Sequence, residues 1–265
     1  MIVTLLTDFG GKDEYVGVMK GVILGINPSV TVVDLCHEIP LGDIPRAGRL
    51  LSWSWPYFPK GTIHVVVVDP GVGSSRKILC LKHRGHLFLA PDNGVLSQLL
   101  AGVRHPHLVE VTNRRFSLPR VSNTFHGRDI FAPAAAYLSK GLQPSRLGRR
   151  IATFKQLPVP IPKKLGHRIL QGEVIQIDRF GNAVTNLPAA EIQRLSRSAP
   201  LKVEVNGHSL CGIQPSYSFK PQGAALAVIG SHDLLEIAVN QGSAADRLRI
   251  RPGSRVKVTG AAPRP

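Results

Sequence analysis

Through the first 156 residues, short unbroken apolar runs alternate with stretches whose apolar positions recur at helical spacing. Ile2 to Leu6 reads as a strand ending at Thr7-Asp8-Phe9-Gly10-Gly11. Residues 15 to 24 then read as a helix, with Tyr15, Val18 and Val22 on one face and Asn27-Pro28 closing it. Thr31 to Leu35 is the next strand, so the chain opens β–α–β, with Asp8 where the first strand meets its helix. Residues 43 to 55 look helical and are ended by Pro56 and Pro59. Val65-Val66-Val67-Val68 lacks polar alternation, the pattern of a strand buried on both faces. It delivers Asp69 at its end, after which Pro70 stops the ladder while Gly71 and Gly73 turn the chain. Residues 77 to 82 and 86 to 90 form a hairpin across His83-Arg84-Gly85. Short helices are expected over 95 to 100 and, in small residues, over 134 to 138.

The texture changes at KQLPVPIPKKLG, residues 155 to 166, where three prolines and no periodicity predict a linker. Beyond it come short strands at 172–178, 201–205, 224–230, 234–239 and 255–259, separated by turn residues. The expected fold is an α/β N-terminal domain (1–156) with a central, mostly parallel sheet. A proline-rich linker (157–168) and a smaller all-β, barrel-like C-terminal domain (169–265) follow.

Lys and Arg outnumber Asp and Glu by 33 to 17, a formal charge of +16 that raises nucleic acid as a partner. The basic residues are dispersed and accompany no RNP, helix-turn-helix or zinc-finger pattern, so a solvated basic surface is the favoured reading. No apolar run reaches membrane-spanning length, and MIVTLLTDFG lacks the flank and cleavage pattern of an export signal; a cytoplasmic protein is expected. Cys36, Cys80 and Cys211 are odd in number and far apart, which gives neither a disulfide framework nor a zinc site, and Cys36 and Cys80 are expected to be buried. His83 and His86 have metal-site spacing but sit in a hairpin turn without a third ligand, so solvated side chains are expected and no metal site is assigned.

Candidate chemistry lies at loop ends. In open α/β sheets ligands bind there, which singles out Asp69 with Arg76 seven residues on. Asn123-Thr124-Phe125-His126-Gly127-Arg128-Asp129 crowds His126 with polar groups, and Arg128 and Asp129 can pair with each other. Asp13 reads equally as an ordinary acid at a helix start. In the second half, Asp178-Arg179-Phe180-Gly181-Asn182 and Ser231-His232-Asp233 are the turns that stand out. Gly71-Val72-Gly73 is no dinucleotide fingerprint, because Arg76 occupies its sixth position, and GxxxxGK, HExxH, GxSxG and CxxC are all absent.

The strings TLLTDFGGKDEYVGVMKGVI, VVDLCHEIP, VVVVDPGVGSSR, APDNG, NTFHGRDIFAP, IDRFGNAVTN and LLEIAVNQGSAA run in order from residue 4 to residue 245. Together they resemble the S-adenosyl-L-methionine (SAM) hydroxide adenosyltransferases, adenosine-forming SAM hydrolases related to the SAM-dependent fluorinase and chlorinase. The resemblance implies a homotrimer, with active sites where domains of neighbouring subunits meet. It also implies attack of water or hydroxide on the ribose 5′ carbon of SAM, releasing adenosine and methionine. SAM enters as substrate and no cofactor is implied. The implied catalytic trio is Asp69, Arg76 and His126. Asp8 would hold the ribose hydroxyls, Asp13 would lie near the methionine end, and Asp178, Phe180 and Asn182 match the adenosine-side turn. Tyr217 falls where an aromatic stacks on adenine, Ser231 matches a methionine-carboxylate contact, and Glu236 and Val239 fall in the adenine-reading segment.

Asp69 stands where the halogenases place a tyrosine, and Gly127 where the fluorinase has a serine. An acid there repels a halide, which disfavours halogenation. Within the trio, Asp69 is expected to orient water and Arg76, Arg76 with His126 to stabilise developing hydroxide, and His126 to move the proton. A non-catalytic adenosine- or SAM-binding module, a nucleic-acid binder and a nucleoside hydrolase are the competing readings.

Overall fold

The computed structural model describes residues 1–195 and 201–260, in two compact units, Met1–Val159 and Pro160–Pro265. The first unit contains β1 (Ile2–Thr7), α1 (Tyr15–Ile26), β2 (Thr31–Cys36), α2 (Ile44–Ser54) and β3 (Ile63–Val67). After these come β4 (Ile78–His83), β5 (His86–Pro91), β6 (His107–Glu110), α3 (Ala132–Ser139) and β7 (Arg150–Ile151). Its sheet runs β2-β1-β3-β5-β4-β6-β7, parallel from β2 to β5 and antiparallel from there to β7.

The run of valines has the environment its composition demands. Ile63, Val65 and Val67 pack with α1 and α3 in one core, while Val66 and Val68 pack with Ala47 and Leu51 of α2 in the other. Covered on both faces, β3 cannot bend toward solvent, so the residue following Val68 leaves the sheet at a fixed place. Asn93 reinforces this by donating from Nδ2 to the Val68 carbonyl at 2.8 Å.

Several elements differ from the pattern reading. The core-facing stripe of α1 is Val16, Met19 and Ile23, whereas Tyr15 is exposed and Val18 and Val22 are only half-buried or less. That helix is apolar on most sides, so spacing alone could not choose the stripe that docks. Residues 95–100 form successive turns and no regular helix, although Val95, Leu96, Leu99 and Leu100 are buried. Cys80 is buried, but Cys36 is half-buried. His86, expected to be solvated, is 3% exposed and packs against His64, Trp55 and Phe88; His83 meets the edge of Trp55.

The second unit is an eight-stranded antiparallel sheet, made of β8 (Lys163–Leu165), β9 (Ile169–Ile177), β10 (Ala183–Pro188), β11 (Lys202–Val205), β12 (His208–Cys211), β13 (Ala225–Ile229), β14 (Leu234–Val239) and β15 (Arg255–Thr259). Short helices α4 (Ala189–Gln193) and α5 (Ala244–Arg247) accompany it. Strand order is β12-β11-β15-β9-β10-β14-β13, with β8 on β9, and the sheet curls into a nearly closed barrel around Val174, Leu187, Val203, Ile237 and Val256. β8 lies inside the proline-rich stretch read as a linker, pairing Lys163 with Gln171 and Leu165 with Ile169. Among the described residues, no helix is long and apolar enough to cross a membrane.

Candidate active site

Beyond β3 the chain turns tightly: the Val72 amide donates to the Asp69 carbonyl, and Ser74 donates from its amide and its hydroxyl to the Gly71 carbonyl. The loop thereby returns Arg76 to Asp69. Arg76 Nε donates to Oδ1 at 3.0 Å and Oδ2 at 2.8 Å, and Nη2 also meets Oδ2. With side chains only 9% and 3% exposed, this pair is shielded from water and its fork geometry is held rigidly.

Gly73, at φ +79°, presses this loop against a second one: a Cβ built on it would lie 2.3 Å from the Asn123 carbonyl oxygen. That second loop is anchored by Asp129, fully buried, which accepts from Arg128 Nε at 2.6 Å, Arg128 Nη2 at 3.1 Å and the Ser122 amide at 2.8 Å. These bonds hold the Asp129 carboxyl below the usual carboxylate range against the opposing effect of burial. Arg128 also lies 5.2 Å over the Phe125 ring. A π-helical turn, Gly127–Phe131, follows His126 directly.

Across the two loops, Arg76 Nη2 stands 2.8 Å from His126 Nδ1. A guanidinium can only donate, so Nδ1 accepts and the single proton of the neutral ring sits on Nε2. Burial, then the neighbouring Arg76 charge, lowers the proton affinity of His126, which agrees with a neutral ring. Asp69, Arg76 and His126 thus form one continuous chain of hydrogen bonds.

Asp69 and His126 line a cavity of about 270 Å³. Asp8 is on its wall, held by the Gly42 amide donating to Oδ2 at 2.9 Å, and Phe9, Leu41 and Phe125 supply apolar surface. Phe9, Tyr15 and Phe125 pack edge-on or tilted at 5.1–5.8 Å between centroids. Leu41 is 92% exposed despite bordering the cavity. Asp13 is exposed and does not line it.

In the second unit, Asp178 Oδ1 accepts from the Phe180 and Asn182 amides, both at 2.8 Å, and Oδ2 accepts from Asn182 Nδ2 at 3.0 Å. The acid is consumed in shaping its own turn, and the turn presents Phe180 at 76% exposure. The Tyr217 hydroxyl donates to Glu236 Oε2 at 2.9 Å; burial and that carboxylate push Tyr217 up to about 12. Burial likewise raises Glu236, which is only 5% exposed. Ser231 is exposed in the turn between β13 and β14, and Val239 is buried at the end of β14. Among the described residues no three His, Cys, Asp or Glu side chains gather as metal ligands would.

Family models for the N-terminal and C-terminal domains of SAM hydroxide adenosyltransferase match residues 3–148 and 172–257. The chain belongs to the SAM hydroxide adenosyltransferase family. Within it, the chain is 39% identical over 263 residues to the (R)-S-adenosyl-L-methionine hydrolase of Thermus thermophilus, covering 97% of this chain and 98% of that one. A Nocardia brasiliensis fluorinase is more distant, 25% identical over 97% of this chain and 96% of its own. Among solved structures, an uncharacterized conserved protein from Thermotoga maritima superposes with a TM-score of 0.91 at 36% identity, covering 98% of this chain and all of that chain.

For this family member, the residues singled out from sequence separate by environment. Asp8, Asp69, Arg76 and His126 converge. Asp178, Asn182 and Phe180 share one turn, and Tyr217 is joined to Glu236. Asp13, Ser231 and Val239 make no side-chain bond that ties them to either group. Motif reading marked Asn93 within APDNG but gave no signal for its bond to the Val68 carbonyl or for Leu41, because each depends on neighbours remote in sequence. The Arg128–Asp129 pair it did anticipate also braces the His126 loop.

Proposed function

We propose that this chain hydrolyses S-adenosyl-L-methionine to adenosine and L-methionine. The observation that carries the reading is the hydrogen-bonded chain Asp69–Arg76–His126 at the wall of a cavity shared with Asp8. The names of the relatives supply the substrate. Sulfonium departs as a neutral thioether, so the chemical demand is to hold an oxygen nucleophile behind C5′ and to remove its proton. Water attacks C5′, the C5′–S bond breaks with its electron pair going to sulfur, and the proton leaves the new oxygen.

Neutral His126, with Nδ1 held by Arg76, offers Nε2–H as a donor to that oxygen. Of the donating or accepting role expected for His126, this reading keeps the donating one, since its Nδ1 lone pair faces Arg76. The Asp69 carboxylate keeps lone pairs beyond those facing Arg76 and takes the proton as the C–O bond forms. A weak base suffices, because an alcohol oxygen bonded to three groups is a strong acid. Asp8 binds the ribose hydroxyls, and alignment behind the leaving group supplies much of the acceleration, through effective molarities of roughly 10⁵ M. Asp178, Phe180, Asn182, Tyr217, Glu236 and Val239 serve the adenosine, while Ser231 and Asp13 serve the methionine end. No cofactor takes part. The working form is a homotrimer, which light scattering after gel filtration tests.

Incubation with SAM in ¹⁸O-water should give adenosine and methionine in equal amounts, with the label on the adenosine 5′ oxygen. Intact SAM would reduce the protein to a binding module. Free adenine, or adenosine without label, would replace the reaction.

A further inference from the structure

A second cavity, about 250 Å³, opens beside Arg76 and His126 and has a different character from the first. Its walls come from the 75–78 segment, the end of β6 with the turn that follows, and the π-helical turn. Three cations border it: Arg76, Lys77 and Arg114. Among the described residues its one acid, Glu110, is already paired with Arg149 at 2.9 Å. Among the described residues, Lys77 and Arg114 form no ion pair with any acid, and the bonds of Arg76 to Asp69 and His126 leave its Nη1 unused.

The wall that carries Arg114 is built to hold its place. Asn113 accepts from the Arg115 amide at 3.1 Å and donates from Nδ2 to the Arg146 carbonyl at 2.9 Å, and Ser117 Oγ donates to the Arg114 carbonyl at 2.9 Å. Asp69 offsets the charge of Arg76 and Arg149 engages Glu110, so among the described residues Lys77 and Arg114 line the hollow without an acid of their own. Ser75 and Thr112 line the same hollow.

We propose that this cavity is a binding site for a small dianionic oxyanion of the phosphate class, held by Lys77 and Arg114 with Arg76 behind them. Phosphate matches the site in charge and in its several acceptor oxygens, each able to take a charge-assisted bond from a different wall. An anion seated there touches the guanidinium that holds His126, so occupancy reaches the trio without entering the first cavity. The site stands apart from the SAM reading, because binding alone reports on it.

Calorimetric titration of the whole chain with inorganic phosphate, against chloride at matched ionic strength, tests the proposal. One phosphate per chain is expected, weakened about tenfold by Lys77→Gln and by Arg114→Gln, and retained within about threefold in Lys77→Arg. Arg251→Gln removes a cation elsewhere and should leave binding unchanged. Thermal melts confirm that each variant is folded. The proposal is overturned by no heat beyond the chloride control, or by equal affinity in wild type and both glutamine variants. Equal weakening by Arg251→Gln also overturns it, since binding would then follow the overall +16 charge. Acetate as tight as phosphate would overturn the dianion preference.

Discussion

Replacing Gly73 by alanine tests whether two loops must meet for the trio to exist. The added Cβ would sit 2.3 Å from the Asn123 carbonyl oxygen, and such contacts essentially never fall below 3.0 Å, so the loops must separate by at least 0.7 Å. Arg76 rides on the first loop and His126 on the second, and their 2.8 Å bond would lengthen toward 3.5 Å, beyond hydrogen-bonding distance. The backbone at φ +79° adds its own cost, roughly 1–2 kcal/mol for a residue with a Cβ. With overpacking of about 1–3 kcal/mol, the expected destabilisation is about 3 kcal/mol, or a fall in Tm of roughly 6–12 °C for a unit of this size. A misplacement near 1 Å costs on the order of 10²-fold in rate. Steady-state release of adenosine from SAM, measured well below the melting temperature, should therefore drop about a hundredfold. Gly71→Ala is the control, since its Cβ would meet only ordinary contacts of 3.5–3.8 Å and should keep turnover within about threefold. A folded Gly73→Ala protein with full turnover would refute the claim that close loop contact assembles the trio.

Asp69→Asn removes the anion from a pair shielded from solvent; turnover should fall about 10³-fold with KM changed less than threefold, and stability should drop by about 3 kcal/mol. A raised KM at normal kcat would instead make Asp69 a binding residue. His64, fully buried between Thr4 (2.8 Å to Nδ1) and His86 (3.3 Å to Nε2), has its pKa lowered to about 3 from 6.5 by burial. Below pH 6.5 the unfolded chain binds a proton that the folded one does not, so stability declines with acidity, by about 3 kcal/mol at pH 4.5. Urea titrations at pH 7 and 4.5 should show that loss, and the pair His64→Phe with Thr4→Val should remove most of it; an unchanged pH slope would locate the acid sensitivity elsewhere. Tyr217→Phe leaves Glu236 buried without its donor and should raise KM for SAM about tenfold with kcat within threefold, so an unaltered KM in steady-state kinetics would detach Tyr217 from substrate.

Much of the fold is legible because local chemistry and tertiary demand agree. The valine run of β3 is buried on both faces, Asp43 caps α2 by accepting from the Arg46 amide, and Arg84-Gly85 makes the two-residue hairpin turn. Legibility fails where several local answers are equally good. Helix α1 offers two apolar stripes, residues 95–100 bury their side chains without continuing a helix, and β8, β10 and β12 are too short or too polar to announce themselves. The site divides in the same way: VVVVDPGVGSSR and NTFHGRD mark Asp69, Arg76 and His126 as unusual loop-end groups, yet 50 residues separate Arg76 from His126.

Residue order by itself determined most of the sheet-forming runs, the family and the side chains offered to chemistry, because each of these is written in contiguous stretches. Only the tertiary structure decided which nitrogen of His126 is occupied and that two cations without an acid of their own line a second cavity. Those are properties of distance and solvent exclusion between remote segments, and no local pattern encodes a distance.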